Sequence, residues 1–311
     1  MKNRQSSENL TLTRVPGVLV GHWTDEAKST GCTVSLFPDG ARCGAVQLGS
    51  ASGTRQMGVF DPAHISGKVH GMCLSGGSAF GLSAADGVVE FLESKGIGFD
   101  SGHGKVPIVP AAIIFDLATA KTRPNAESGR LAAEAASAQP VQQGRVGAGA
   151  GATVAKWGGD RIPGGLGSVA QDVGEYVIGA LAVVNAIGSI RDPETGKWIA
   201  GDGKAHLQPP KVGGDWAGNT TLVCVVTNAP LDSVQLTVLA RMASAGIART
   251  IYPAYSPFDG DAVFAFSTGS GGEINRATVA HLGSVAALAG GKSIVGTVQN
   301  PWVCGRQSER T

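Results

Sequence analysis

The feature that most constrains this chain is a short apolar run that directly follows a Gly-Asn pair. Residues 215–231 read D-W-A-G-N-T-T-L-V-C-V-V-T-N-A-P-L. Glycine and asparagine tolerate a positive φ, and the apolar run that begins at residue 221 is typical of a buried strand. The stretch therefore predicts a tight turn over residues 217–219 that leads into a strand over residues 221–227.

The same stretch also permits a chemical interpretation. Thr220 places a hydroxyl group at the mouth of a rigid strand, directly after Gly218 and Asn219. Such a turn can press the Asn219 carbonyl against the Thr220 hydroxyl, which is where a self-cleaving protein needs its nucleophile. Gly-Asn-Thr before a strand is nevertheless common turn chemistry, so this stretch alone favours the purely structural interpretation.

Composition argues against several classes of function. The chain has 311 residues, of which 42% are hydrophobic and 16% charged, so a sizeable core is possible. The net charge is +1 and there is no basic block, so we expect neither a nucleic-acid partner nor a membrane partner. The polar N-terminus does not resemble a signal peptide, and no run approaches the roughly 18 apolar residues of a spanning helix.

The cysteine and histidine patterns do not indicate a metal site. The five cysteines are scattered without a C-x-x-C pair, which argues against a disulfide framework and against a zinc cluster. The six histidines include no H-x-x-x-H pair. We therefore predict a protein without a metal or another cofactor, located in the cytoplasm, where cysteines stay reduced.

Strands and helices are predicted to alternate without a regular βαβ period. Residues 31–37 and 41–48 flank the turn motif F-P-D-G and are expected to pair as a hairpin. Residues 177–185 form an apolar run that ends at Asn185, and residues 191–214 are rich in loop-forming residues. This pattern favours a layered α/β architecture with mixed strand pairing over a doubly wound parallel sheet.

Two glycine-rich motifs fit familiar nucleotide or nucleophile motifs poorly. Ala152 stands where G-x-G-x-x-G needs its third glycine, and K-W-G-G-D follows instead of a helix, so a dinucleotide site is disfavoured. Gly76, Gly77 and Ser78 lead into a predicted helix, whose free N–H groups can hold an anion or a carbonyl oxygen. Phe80 replaces the second glycine of a nucleophile elbow, so a helix entry is the simpler interpretation of Ser78.

Four polar residues elsewhere are weaker candidates for chemistry when each is taken alone. Asp259 and Asp261 stand one residue apart before a predicted strand, where a solvated turn is the simpler interpretation. Lone lysines are usually solvated, although Lys156 lies in a weakly charged, glycine-rich neighbourhood. Asn185 is more informative, because a buried amide must find hydrogen-bond partners or destabilise the fold.

Five motifs spread along the chain together resemble one family. They are L-S-G-G-S-A-F-G-L, V-P-I-V-P-A-A-I-I-F-D-L, G-A-G-A-G-A-T-V-A-K-W-G-G, G-N-T-T-L-V-C-V-V-T-N-A-P-L and F-D-G-D-A-V-F-A. Over roughly residues 17–296 the chain is similar to the DmpA-type family, which includes L-aminopeptidase/D-esterases, β-peptidyl aminopeptidases and nylon-oligomer hydrolases. The resemblance implies a layered αββα sandwich with mixed sheets, of the N-terminal-nucleophile hydrolase kind.

The resemblance also implies a single domain, residues 1–311, that cuts itself between Asn219 and Thr220. The products are an α chain, residues 1–219, and a β chain, residues 220–311, with Thr220 as the nucleophile. The aminopeptidase branch typically has serine as its nucleophile and other polar residues at the two aspartate positions. The nylon-hydrolase branch has threonine, and the chain resembles that branch at four further positions: Lys156, Asn185, Asp259 and Asp261.

A mechanism follows from the resemblance for the amide bonds of small peptides or amide oligomers. The α-amine freed at Thr220 is expected to act as the base for its own hydroxyl, which forms an acyl-enzyme with the substrate. Asp261, with Asp259 behind it, is expected to orient the nucleophile, and Lys156 to supply positive charge. Asn185 is expected to donate its side-chain amide to the oxyanion. The resemblance further implies a homotetramer of αβ units.

Two alternatives remain open from the sequence. One is an acyltransferase of the ornithine acetyltransferase kind, which transfers an acyl group to an amine instead of to water. The other is a non-catalytic α/β binding protein in which Gly218-Asn219-Thr220 is only a turn.

Overall fold

The computed structural model describes residues 9–27, 29–204, 207–210 and 218–299. The described α-helices are α1 (Ala84–Ser94), α2 (Ala126–Glu134), α3 (Ser233–Thr250) and α4 (Arg276–Gln299). The described strands are β1 (Leu19–Thr24), β2 (Gly31–Gln47), β3 (Thr54–Arg55), β4 (Val69–Ser75), β5 (Phe99–Asp100), β6 (Lys105–Val106), β7 (Ala111–Ile113), β8 (Thr153–Val154), β9 (Ile162–Pro163), β10 (Gly165–Val173), β11 (Tyr176–Asn185), β12 (Ser189–Arg191), β13 (Trp198–Ala200), β14 (Thr220–Thr227), β15 (Ile251–Tyr252) and β16 (Ala262–Ser267).

The long strand β2 joins two sheets. Its first half pairs with β1 and β4, and its second half pairs with β16. Hydrogen bonds run through the strands in the order β10-β11-β14-β16-β2-β4-β7-β3, with β1 also beside β2. The pairs β14–β16 and β4–β7 are parallel, whereas the other neighbours along this path are antiparallel. The sheets are therefore mixed, as the sequence predicted.

The F-P-D-G motif is a bulge and not a hairpin turn. The four residues between Leu36 and Ala41 stand opposite a single residue of β4, and the pairing register shifts there. Gly40 adopts a φ of +75° within this bulge. The extra residues bend β2 and carry it from one sheet to the other. The predicted hairpin is wrong because the two halves of β2 pair with β1, β4 and β16 and not with each other.

Clusters of buried apolar side chains define four layers. Between the two sheets, the rings of Phe37 and Phe266 are 5.0 Å apart and those of Phe60 and Phe264 are 5.4 Å apart. Helices α3 and α4 pack on the outer face of the sheet that contains β11, β14 and β16. Helices α1 and α2 pack on the outer face of the sheet that contains β4. The predicted αββα sandwich is confirmed.

One segment differs from its prediction. Residues 191–214 include β13, which pairs with β12, and β12 in turn pairs with β15. Residues 205–206 and 211–217, which belong partly to the predicted loop and turn, lie outside the described residues.

Helix α4 has the length and apolar composition of a membrane-spanning helix. It nevertheless lies in the outer layer against α3, and 56% of its most apolar stretch is buried inside the protein.

Candidate active site

The predicted nucleophile lies where a glycine turn enters a central strand. Thr220 is the first residue of β14 and stands opposite Asn185, the last residue of β11. Gly218 has a φ of +108°, and a Cβ atom at this position would lie 2.0 Å from the Phe115 side chain. Because only glycine fits both constraints, the backbone immediately before the strand is tightly fixed.

The peptide bond between Asn219 and Thr220 is buried and polarised. The Thr220 hydroxyl donates to the Asn219 carbonyl oxygen at 2.5 Å. The backbone N–H of Gly260 donates to the same oxygen at 2.7 Å, and Asn219 forms a parallel bridge with Asp259. Asn219 is 4% exposed and Thr220 is 2% exposed. The structure therefore places the hydroxyl against the carbonyl group that the chemical interpretation requires it to attack.

The side chain of Asn185 connects three segments of the chain. Its Nδ2 donates to the carbonyl oxygens of Phe115 and Gly218, each at 3.0 Å. Its Oδ1 accepts from the N–H of Thr153 and from Nζ of Lys156, also at 3.0 Å. The buried amide thus has the partners that its position demanded. Both N–H groups of the Asn185 amide already donate to carbonyl oxygens in the uncut chain. The predicted oxyanion role therefore requires one of these acceptors to move away. Gly218 carries one of them, and it belongs to the segment whose end a cut would free.

Lys156 lies beside Asn185, and the pKa of its side-chain amine is lowered. Its Nζ donates to the backbone carbonyl and to the side-chain oxygen of Asn185, each at 3.0 Å. Burial lowers the pKa of Lys156 to about 7; the charges of Asp259 and Asp261 oppose this shift, and Arg161 reinforces it. The amine is therefore partly uncharged at neutral pH and can exchange a proton there.

Asp259 and Asp261 are buried in the loop before β16. Asp259 accepts from the N–H and the hydroxyl of Ser256 at 3.0 and 2.5 Å. Asp261 accepts from the N–H of Thr221 at 2.6 Å and from the N–H of Tyr255 at 3.0 Å. Burial raises the pKa of both carboxyl groups, and Asp259 raises that of Asp261 further. The sequence predicted Asp261 on the nucleophile itself, whereas the structure places it on the next backbone N–H, where it fixes the start of β14.

The turn at Gly76-Gly77-Ser78 does not offer the free N–H groups that its sequence predicted. Each group already has an acceptor: Gly76 donates to the Gly31 carbonyl, Gly77 to the Asp116 carboxylate and Ser78 to the Ile114 carbonyl, at 2.9, 2.7 and 3.0 Å. The prediction of an anion or carbonyl site on these N–H groups is wrong in that respect. Their contact with the site is indirect, because the N–H of Gly77 holds the carboxylate of Asp116 in place.

A small cleft opens beside the Asn219–Thr220 bond. Its walls include Phe115, Asp116, Lys156 and Arg161, and Asn219 lies in its lining. Sequence reasoning did not single out three of these wall residues: Phe115 and Asp116 lie near the end of one of the five family motifs without a role of their own, and Arg161 lies just beyond another. It also missed Gly260, although a glycine between two candidate aspartates is a pattern that indicates a close backbone approach.

The described residues contain no group of three or more His, Cys, Asp or Glu side chains arranged to hold a metal ion. The described cysteines are buried and unpaired: Cys32, Cys43, Cys73 and Cys224. Burial raises the pKa of each of these thiols, so none is a reactive thiolate.

Comparison with protein families decides the class of this protein. The model of peptidase family S58 matches residues 11–299. The chain belongs to peptidase family S58. This S58 chain is 39% identical over 290 residues to an uncharacterized aminopeptidase of Mycobacterium tuberculosis, which covers 84% of this chain and 82% of the relative. It is 32% identical over 272 residues to a 6-aminohexanoate-oligomer endohydrolase of Kocuria sp., which covers 81% of this chain and 73% of the relative.

Solved structures share the architecture. The L-aminopeptidase D-Ala-esterase/amidase of Ochrobactrum anthropi, described as a new variant among the Ntn hydrolase fold, superposes with a TM-score of 0.74 and 20% identity over 93% of this chain and 85% of that chain. A β-aminopeptidase of Burkholderia sp. gives a TM-score of 0.71 and 22% identity over 93% of this chain and 86% of that one. The S58 chain therefore has the DmpA-type fold, and its family and relatives show a hydrolase.

Replacing Asn185 with alanine in this S58 hydrolase is expected to lower kcat about 100-fold while KM changes less than about threefold, because an oxyanion donor acts mainly in the transition state. The matched control is Asn228→Ala at the opposite end of the same strand pair, where the side chain accepts only from the N–H of Val177 among the described contacts. Steady-state kinetics on the mature enzyme measure both constants. A raised KM with an unchanged kcat would remove Asn185 from the oxyanion role.

Proposed function

We propose that this S58 chain cuts itself between Asn219 and Thr220, and that the released Thr220 then hydrolyses amide bonds of small peptides or amide oligomers. The observation that carries the proposal is the 2.5 Å contact between the Thr220 hydroxyl and the Asn219 carbonyl oxygen. The contact is buried, and titratable groups with pKa values shifted toward neutrality surround it. Such groups are typical of catalytic sites.

Self-cleavage is an isomerisation followed by hydrolysis. Thr220 Oγ bonds to the Asn219 carbonyl carbon, the C–N bond breaks, and the hydroxyl proton is transferred to the departing nitrogen. Water then adds to the resulting ester, which releases Asn219 as a carboxylic acid and restores the hydroxyl. The Thr220 nitrogen is part of an amide until the bond breaks, so another group must first accept the proton. Lys156 and Asp261 are the groups whose altered pKa values suit that transfer near neutral pH.

Hydrolysis of substrate then uses the new N-terminus. An α-amine has a reference pKa of about 7.7–8.0, so the Thr220 amine can accept its own hydroxyl's proton near neutral pH. The charged fraction of Lys156 favours the neutral form of that amine and stabilises developing negative charge. Asp261 holds the backbone N–H next to the nucleophile at 2.6 Å, which keeps the start of β14 in register. Substrate acylates Thr220, its amine leaves, and water restores the enzyme.

The substrate class follows from the relatives. One relative is named as an aminopeptidase and another as a 6-aminohexanoate-oligomer endohydrolase. Both names concern a substrate with an amide bond, and the cleft beside residue 219 is lined by an acidic and two basic side chains: Asp116, Lys156 and Arg161. We further propose a homotetramer of αβ units, on the strength of the sequence resemblance, and a cytoplasmic location, on the strength of the scattered cysteines. Sedimentation of the mature protein measures the assembly.

Mass spectrometry of the intact protein and N-terminal sequencing test the proposal directly. We expect two polypeptides, residues 1–219 and 220–311, and a new terminus that reads Thr-Thr-Leu-Val. Aminoacyl p-nitroanilides assayed against 6-aminohexanoate oligomers then distinguish aminopeptidase from oligomer-hydrolase specificity. A single full-length polypeptide with full hydrolytic activity contradicts the proposal.

A further inference from the structure

The loop between Asp259 and Asp261 carries a backbone group aimed at the bond that is cut. The N–H of Gly260 donates to the Asn219 carbonyl oxygen at 2.7 Å. Beyond this point the regular ladder between β14 and β16 begins with Leu222 opposite Ala262. The approach is close, because the loop and the strand are already linked by the bridge between residues 219 and 259.

This N–H group is placed for the charge that develops during self-cleavage. Attack by Thr220 Oγ converts the Asn219 carbonyl oxygen into an oxyanion, and the hydroxyl stops donating to that oxygen once its proton is lost. The Gly260 N–H remains in place, and its hydrogen bond to the oxyanion is stronger than its hydrogen bond to the neutral carbonyl oxygen. Asn185 cannot take this role in the uncut chain, because both N–H groups of its amide are held by other carbonyl groups.

The identity of residue 260 is constrained by the same approach. A Cβ atom at Gly260 would lie 2.8 Å from Thr220 Oγ1 and 3.0 Å from the backbone oxygen of Ala51. Any larger residue would therefore press on the nucleophile from the side of the loop. Glycine permits the N–H to reach the carbonyl while the hydroxyl stays in its position.

We propose that the backbone N–H of Gly260 is the oxyanion donor of self-cleavage, a role that rests on the proposed cut between Asn219 and Thr220. Self-cleavage and substrate hydrolysis then use different oxyanion donors. Gly260 serves the precursor, and the amide of Asn185 becomes available for substrates only after the segment that contains Gly218 is released.

An amide-to-ester exchange at position 260 tests this role with the smallest chemical change. Cell-free translation with a suppressor tRNA carrying glycolic acid replaces the N–H with an ester oxygen, which cannot donate. The matched control is the same exchange at Gly271, an exposed glycine with no atoms near its Cβ position. We expect self-cleavage to slow about 100- to 1,000-fold at position 260 and to change less than about twofold at position 271.

The possible outcomes separate the two proposals. If the unmodified chain is cut and the ester at 260 is cut at the same rate, Gly260 is not the donor and the proposed function stands. If the unmodified chain is never cut, the proposed function itself fails. Alkaline hydrolysis at the ester confirms incorporation, and circular dichroism confirms folding.

A second measurement covers an ester variant that does not fold. In the uncut Thr220→Ala precursor, selective labelling leaves signals from only the four Asp-Gly pairs of the chain, and one of these reports hydrogen exchange at the Gly260 amide. We expect strong protection in the precursor and its loss in the mature enzyme, where the carbonyl has left. Rapid exchange in the folded precursor would overturn the assignment.

Discussion

Thr220→Ala is expected to yield one uncut polypeptide of full length, with hydrolytic activity at least about 10⁴-fold below that of the wild type. Removing the hydroxyl removes the atom that attacks the Asn219 carbonyl, and without a cut no free α-amine forms. The fold should persist, because β14 keeps its backbone pairing with β11 and β16. Gel electrophoresis and intact mass measure the cut, and an amide-hydrolysis assay measures activity.

Two further substitutions serve as controls for Thr220→Ala. Thr221→Ala makes the same change one residue later, on another buried hydroxyl, and should leave the cut intact. Thr220→Ser retains a hydroxyl on the same atom and should still be cut, more slowly. Efficient cleavage of Thr220→Ala would show that the nucleophile is another residue.

The second large effect is expected at Lys156. Burial lowers the pKa of this lysine to about 7, so its amine loses its proton as the pH rises through that value. The self-cleavage rate should therefore rise between about pH 6 and pH 8 and level off above. Lys156→Met keeps the length of the side chain and removes one of the two proposed proton acceptors, so it should slow the cut about 100-fold or more; any pH dependence that remains is assigned to Asp261, whose pKa burial raises to about 7.

Self-cleavage is the right reaction for this measurement. In the mature enzyme the Thr220 α-amine titrates in the same pH range, but in the precursor its nitrogen is an amide and does not titrate. Freshly translated, labelled protein followed on gels at each pH gives the rate. Lys197→Met, at an exposed lysine, is the control. A rate that does not vary between pH 6 and pH 8.5, or an unchanged profile in Lys156→Met, would exclude Lys156 from proton transfer.

The elements that surround the site were predictable because they depend on local sequence. A continuous apolar run ends at Asn185 and another follows Thr220, and these two residues are the facing ends of β11 and β14. Their pairing, however, joins strands separated by more than thirty residues, and nothing in either run specifies its partner. The common location of Lys156 and the two aspartates was predicted from family resemblance, not from spacing.

Where prediction failed, contacts between distant parts of the chain decided the outcome. F-P-D-G has the composition of a hairpin turn and of a bulge alike, and the pairing of β2 with β1, β4 and β16 makes it a bulge. The N–H groups of Gly76, Gly77 and Ser78 were expected to be free, but the fold brings acceptors to all three. Gly260 escaped notice because its function lies in a backbone group, for which the only sequence signal is the glycine between the two candidate aspartates.

The order of strands has a consequence for what happens after the chain is cut. Strands β14 and β16 are neighbours in the sheet, flanked on one side by β11 and on the other by β2. The proposed cut would leave these two strands of the downstream fragment between strands of the upstream fragment, with backbone hydrogen bonds along both edges. Separating the two fragments would break the hydrogen bonds along both edges at once. We therefore expect the cut enzyme to behave as one body, and we expect fragments produced separately to lack a preformed site for association.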